Sequence, residues 1–226
     1  MNWTDYKFRC SRLGDLMTEA RAKKDPLSQT TITYLNEIFI TEHTGREKDI
    51  MNKYMMKGLI VEEDSISLLT SVTNKFYVKN QKKYENEYVK GTPDIVEDKV
   101  VDIKSSWDIW TFGKAEVSKD YYWQLQGYMY LTGLRKASLI FCLVDAPEQL
   151  ISDELRKLSW KMFMIDPIDP LYVEAEEKLR KNLTFGDIDP RYRIKIFEID
   201  YNEEDIEKLK VRIGECREYL ANKTGI

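Results

Sequence analysis

Apolar positions recur at helical spacing in the first third of the chain, alternate with polar ones in the middle, and return to helical spacing afterwards. Leu13, Leu16 and Met17 predict a helix over residues 11–22, broken at Asp25-Pro26. A second helix is expected from an N-cap at Ser28 through Ile32, Leu35, Ile38 and Phe39, ended by Gly45. Two more follow over 48–56 and 59–72. The aromatic and β-branched runs 76–78, 84–89 and 100–104 then read as strands, with Gly91-Thr92-Pro93 and Glu97-Asp98-Lys99 as turns. This arrangement predicts that the second and third runs pair antiparallel. A helix over 118–131, closed by Gly133, precedes an apolar strand of buried type at 138–144.

Between Pro147 and Pro190 two helices are expected, one through Leu155, Leu158 and Phe163, the other through Tyr172 and Leu179. Asp166-Pro167 and Asp169-Pro170 divide them, and the pair reads as an inserted helical cap. Residues 193–199 alternate as a strand, and Asn202 caps a last amphipathic helix through Ile206, Leu209, Ile213 and Leu220. The order predicts an α/β (α+β) protein, a central mixed β-sheet flanked by helices. One domain over 1–226, with a helical insertion at 147–190, accounts for a chain of 226 residues.

Composition narrows the class without naming a function. At 42% hydrophobic and 33% charged residues the chain is of the globular kind, and its longest apolar runs are too short to cross a bilayer. Met1-Asn2-Trp3-Thr4-Asp5 lacks the signal-peptide pattern, so a cytoplasmic location is expected, in the host if the chain is phage-encoded. Cys10, Cys142 and Cys216 lie far apart, against a disulfide framework or a zinc site, and are expected to be reduced and buried. A net charge of −4 offers no global attraction for nucleic acid, so DNA binding requires locally clustered Lys and Arg.

The candidate chemistry lies between Gly91 and Lys104. Asp94 is expected to end one strand and Asp102 to lie in the next, so a tight turn brings the two carboxylates together. Alternate residues on a strand share a face, so Asp102 and Lys104 point together while Ile103 turns into the core. Such carboxylates repel unless a cation lies between them. Hard oxygens of this kind favour Mg2+ or Mn2+, which polarise a phosphodiester and acidify a bound water. Lys104 would hold that water or offset charge at phosphorus. The same residues also fit a turn followed by an exposed strand face, and the short pattern alone does not choose.

With its flanks, the chain resembles the PD-(D/E)xK nuclease superfamily, in particular its phage λ exonuclease-like (YqaJ-type) and RecB-like members. The resemblance rests on Pro93-Asp94 with Asp102-Ile103-Lys104 and on Gly58-Leu59-Ile60-Val61-Glu62, similar to the helix that supplies a further acidic ligand. Gln124 and Tyr128 are similar to the Gln-x-x-x-Tyr helix of that branch, and Ser11-Arg12-Leu13-Gly14 to its phosphate-lining serine segment. It covers residues 10–145 and the final strand and helix. It implies a restriction-endonuclease-like core and one or two magnesium ions held by Glu62, Asp94, Asp102 and the Ile103 carbonyl, with Glu63 as the alternative to Glu62. Lys104 and Gln124 would organise water and phosphate. The implied activity is DNA hydrolysis, most often from an end, with a ring-shaped trimer and a single-strand annealing protein as partner in recombination. Two features depart from the pattern: Thr4 stands where an arginine precedes the serine by seven residues, leaving Arg9 or Arg12 as substitutes, and residues 147–190 are inserted.

Phosphate contacts are expected from Ser11, Arg12, Tyr128, Lys82, Lys83 and Lys114, with Lys79, Lys90 and Lys119 nearby, although a lysine run is also what a solvated face looks like. Tyr121, Tyr122, Trp123 and Tyr130 read mostly as core. His43, the sole histidine, reads as a surface residue at a helix end, which leaves no basis for a histidine-dependent nuclease. An endonuclease of the same superfamily, or a non-catalytic DNA- or partner-binding protein on this scaffold, are the alternatives.

Overall fold

The computed structural model describes residues 2–21, 26–163 and 168–225. The expected helix end at Ala22, the break at Asp25 and the Asp166-Pro167 turn lie outside the described residues.

Strand β1 (Phe8–Arg9) leads through a 3-10 turn at Cys10–Arg12 into α1 (Leu13–Leu16), which is much shorter than the helix expected over 11–22. It stops because the Thr31 hydroxyl donates to the carbonyls of Asp15 and Leu16, at 2.9 and 3.3 Å. Those acceptors would otherwise pair with the amides of a continuing helix. Helix α2 (Gln29–Thr44) begins as expected, with Ser28 Oγ accepting from the Thr31 amide at 3.0 Å, and ends at Gly45, whose φ of 67° is left-handed. Helices α3 (Lys53–Ile60) and α4 (Glu62–Thr73) replace those expected over 48–56 and 59–72. The first begins late because Asn52 Oδ1 caps the amides of Tyr54 and Met55.

The strand region departs furthest from expectation. Residues 76–78 form no strand, and Phe76 and Val78 are exposed. The run 84–89 is a hairpin, β2 (Tyr84–Glu85) antiparallel to β3 (Val89–Gly91), because Asn86 Oδ1 accepts from the amides of Tyr88 and Val89 and builds a turn there. The other edge of β3 pairs parallel with β1. The antiparallel pairing expected between 84–89 and 100–104 therefore does not form. Instead β4 (Ile95–Val96) turns at Glu97-Asp98-Lys99 into β5 (Val100–Ser105), its antiparallel partner. Beyond β5 lie β6 (Lys136–Cys142), parallel to it, and β7 (Ile194–Asp200), antiparallel to β6. The sheets are thus β1-β3-β2 and β4-β5-β6-β7, both mixed, and with the surrounding helices they make an α/β fold.

After β5 come the short α5 (Ile109–Gly113) and α6 (Lys119–Thr132), the latter capped by Ser118 and closed by Gly133 as expected. Residues 147–190 hold α7 (Glu148–Met162) and α8 (Pro170–Leu183). Phe163, expected on the packing face, instead ends α7 with φ 54° and is exposed. The chain closes with α9 (Glu203–Asn222), capped by Asn202.

Alternation along β5 and β6 buries both faces of the second sheet. Val100, Leu139 and Phe141 join Phe8, Leu13, Leu125, Met129 and Ile213 in the main core. Val101, Ile140 and Cys142 face Val61, Leu69 and Ile95. All three cysteines are free and buried, as the sequence predicts. Among the described residues no helix is long and apolar enough to cross a membrane.

Candidate active site

The residues at the centre come from three elements. Asp94 leads into β4, Asp102 and Lys104 share a face of β5, and Gln124 and Tyr128 sit on successive turns of α6. Asp94 Oδ2 accepts the Ile103 amide at 2.7 Å, which ties the approach of β4 to the middle of β5. The Asn80 side chain holds the other side, donating to the Pro93 carbonyl at 2.9 Å, while its amide donates to the Asp94 carbonyl. Asp102 is 2% exposed, and its two oxygens are divided between partners. Oδ1 accepts from Gln124 Nε2 at 3.1 Å, and Oδ2 pairs with Lys104 Nζ at 2.7 Å. Lys104 also donates to Gln124 Oε1 at 3.3 Å, and Gln124 Nε2 donates to Tyr128 Oη at 3.1 Å. Asp102, Lys104 and Gln124 thus fix one another in a closed network.

The electrostatics are those of carboxylates short of positive charge. Burial and then the charge of Asp102 push the Asp94 carboxyl up to about 7, with Glu62 adding to the effect. The Ile103 amide and the Lys104 charge only partly oppose this. Burial disfavours the Lys104 ammonium, but the charge and hydrogen bond of Asp102 outweigh it and keep that group charged beyond the ordinary lysine range. Burial, with the Asp102 charge, also raises the Tyr128 phenol well above its usual value.

This donor set fits a hard divalent cation in kind. It is oxygen-rich, burial and then the Asp102 charge favour a proton on Asp94, and Asp102 Oδ2 accepts no hydrogen bond beyond its ion pair. It is not a preset cage. Among the described residues, no three His, Cys, Asp or Glu side chains are drawn close enough to hold an ion as they stand. Glu62, at the start of α4, is near enough to act on Asp94, but its Oε2 pairs with Lys79 Nζ at 2.7 Å. Glu63 is exposed, so of the two adjacent acids Glu62 is the one turned towards the centre. Ile103 gives its amide to Asp94 and packs its side chain against the second core cluster.

Tyr128 also borders a cavity of about 270 Å³ whose wall includes Arg9, Ser11, Lys83 and Lys90. Gly91 allows this approach, since a Cβ there would lie 2.6 Å from Tyr128 Cε1. Ser11, Lys83 and Tyr128 are therefore brought together as the sequence implies. Arg12 is not: its guanidinium pairs with Asp15 and Glu37 and lies over the Tyr34 ring at 4.2 Å. Arg9 takes its place, because alternation on β1 buries Phe8 and leaves Arg9 facing out. Lys82 lies over the Tyr84 ring at 4.8 Å, beside this cavity, and Lys114 borders a different one. Asn80 was not legible as a site residue, for a lone Asn in a polar stretch carries no signal of the carbonyls it will meet. His43 is exposed at the end of α2, stacked on Phe39 at 3.9 Å, as the sequence predicts.

No protein-family model and no curated protein matches the sequence. Among solved structures, the chain is similar to a phage-related exonuclease from Haemophilus somnus 129PT, with a TM-score of 0.76, 26% identity and coverage of 96% of this chain and 94% of that one. It is also similar in fold to LHK-Exo, an alkaline exonuclease from Laribacter hongkongensis, with a TM-score of 0.61 at 15% identity over 97% of this chain and 91% of that one. Over nearly its whole length, then, this chain has the fold of these exonucleases, the likeness that its resemblance to the λ exonuclease-like branch of the PD-(D/E)xK nucleases implied.

Proposed function

We propose that this chain is a metal-dependent deoxyribonuclease that digests linear double-stranded DNA from an end, in phage or bacterial recombination or repair. The observation that carries the reading is the buried network of Asp102, Lys104 and Gln124, with Asp94 anchored beside it and a basic-rimmed cavity reached through Tyr128. The likeness to a phage-related exonuclease over 96% of this chain and 94% of that one supports it. Asp94, Asp102 and the Ile103 carbonyl would hold Mg2+ or Mn2+, with Glu62 joining them on release from Lys79. When bound, such a cation supplies positive charge to the phosphate oxygens and acidity to a water. Lys104 orients the attacking water and offsets charge developing at phosphorus. Gln124 keeps Asp102 and Lys104 in register, since it bonds both. Ser11, Arg9, Lys83 and Lys90 grip the phosphate of the strand end, with Lys82 at their side, in place of the arginine that Thr4 replaces. The reading extends, by resemblance, to one nuclease domain with residues 147–190 inserted, a homotrimer, and a single-strand annealing protein as partner.

Release of mononucleotides from linear duplex in the presence of Mg2+ tests this directly. Asp102→Ala, or EDTA, is expected to lower the rate by about a thousand-fold. Digestion that persists under either condition would sink the assignment, and cutting of closed circular plasmid would mark an endonuclease instead.

A further inference from the structure

A second cavity, about 370 Å³, has Lys104 in its wall together with Tyr54, Trp107, Tyr121 and Lys114. Its wall is tied to that of the Ser11 cavity by the central network, because Tyr128 of one is hydrogen-bonded to Gln124 and Gln124 to Lys104 of the other. A strand whose scissile phosphate lies at Lys104 therefore has the second cavity beside it. The volume falls within the range of roughly 300–1,000 Å³ usual for small-ligand sites.

The two cavities differ in chemistry. The first is rimmed by Arg9, Lys83 and Lys90, whereas the second is built mainly from rings and hydroxyls, with Lys114 and Glu116 on its wall and the Lys53 ammonium over the Tyr54 ring at 5.5 Å. Tyr54 keeps 54% of its surface exposed and is braced edge-on against Trp107 at 5.8 Å. Tyr121 is braced in the same manner by Phe141, also at 5.8 Å, and carries the Lys104 ammonium over its face at 5.0 Å. The wall is also held in an unfavourable way for the fold. Lys57 is fully buried, and its ammonium donates to the carbonyls of Ser106 and Trp107, at 2.7 and 3.1 Å, with no carboxylate paired to it among the described residues. Burial works against this ammonium and the charges of Asp145 and Asp108 only partly offset it, so an apolar side chain of that length would fill the same space with less loss. What the ammonium adds is a fixed backbone at 106–107, directly after the strand that carries Asp102 and Lys104.

We propose that this cavity is a nucleobase subsite that takes the base of the nucleotide next to the scissile phosphate, on the Lys104 side of the centre. The inference rests on the nuclease reading and adds a second recognition site to it. Every base has a π-face, so stacking on Tyr54 is sequence-tolerant, as a digesting enzyme requires. Lys114 meets the phosphate of the same nucleotide.

The test titrates the full chain, in EDTA, with a single-stranded oligonucleotide carrying 2-aminopurine next to its terminal nucleotide. Fluorescence is expected to fall on binding as the base stacks. Tyr54→Ala, at an exposed position where folding is not at stake, is expected to lose that fall and to weaken binding about ten-fold. Trp160→Ser, exposed on α7, is expected to match the wild type. The proposal is overturned if anisotropy shows no binding, if binding leaves the fluorescence unchanged, or if Tyr54→Ala behaves as the wild type. The nuclease reading fails separately, by cleavage that Asp102→Ala does not abolish.

Discussion

At the residue scale, Asp94 gives the centre a pH dependence whose sign is fixed by its surroundings. Its folded pKa of about 7 lies above the ordinary 3.8, so between those values the native chain holds a proton that the unfolded chain has released. The stability this contributes is full below about pH 3.8 and is lost as pH rises through about 7. A cation competes with that proton, so Mg2+ affinity is expected to weaken by up to about ten-fold per unit below pH 7. Calorimetric titrations at about pH 6 and about pH 8 measure it, with Asp94→Asn expected to bind weakly and equally at both; a flat wild-type profile would count against the centre. Lys57 runs the other way. Burial lowers it to about 8 from 10.5, so between those values the unfolded chain binds the extra proton and stability rises with pH. The melting temperature of the wild type is expected to gain on that of Lys57→Met between about pH 8 and about pH 10, and equal slopes would contradict this.

At the level of elements, the site depends on how closely α1 lies on α6. A Cβ on Gly14 would come 2.7 Å from Asp120 Cα, which is backbone and cannot rotate away. Gly14→Ala is therefore expected to cost about 1–3 kcal/mol in urea unfolding, and to reduce cleavage further, because α6 carries Gln124 and Tyr128. Gly214 in α9 meets nothing within 4 Å, so Gly214→Ala is expected to be neutral or to stabilise by up to about 1 kcal/mol. If both variants unfolded at the wild-type midpoint, the close approach of α1 to α6 would be wrong. The same contrast explains which elements were legible. Ser28, Ser118, Asn202, Gly45 and Gly133 act on their own or adjacent turns, and each bounds the helix it predicts. The length of α1 was decided by the Thr31 hydroxyl, an acceptor-taking group remote in sequence, and was misread.

For the whole molecule, a net charge of −4 means that DNA binding has to come from a few clustered cations rather than from the overall field. Arg9, Lys83 and Lys90 are the cluster that the fold assembles, from β1, the segment before β2, and β3. Affinity for linear duplex, measured without metal, is expected to fall with salt. Lys83→Ala and Lys90→Ala should each reduce the slope of log K against log salt by about 0.9. Lys208→Ala on α9, whose ammonium pairs with Asp205, should leave the slope unchanged. Unaltered slopes for both cavity variants would move the DNA path elsewhere.

The sequence by itself determined the class of fold, the helix ends marked by Ser28, Gly45, Ser118, Gly133 and Asn202, and the shared face of Asp102 and Lys104, because capping and strand alternation act over a few residues. It also ordered the segments whose resemblance pointed to a nuclease. Strand pairing was left to the tertiary structure: the Asn86 turn split one expected strand, and β5 found its partners in β4 and β6 rather than in 84–89. So were the choice of Arg9 over Arg12, settled by the acids and the ring that hold Arg12, and the pairing of Glu62 with Lys79. Each of these depends on what lies across a gap in the chain, and a charge or hydrogen-bonding group has no fixed partner until the backbone has brought one to it.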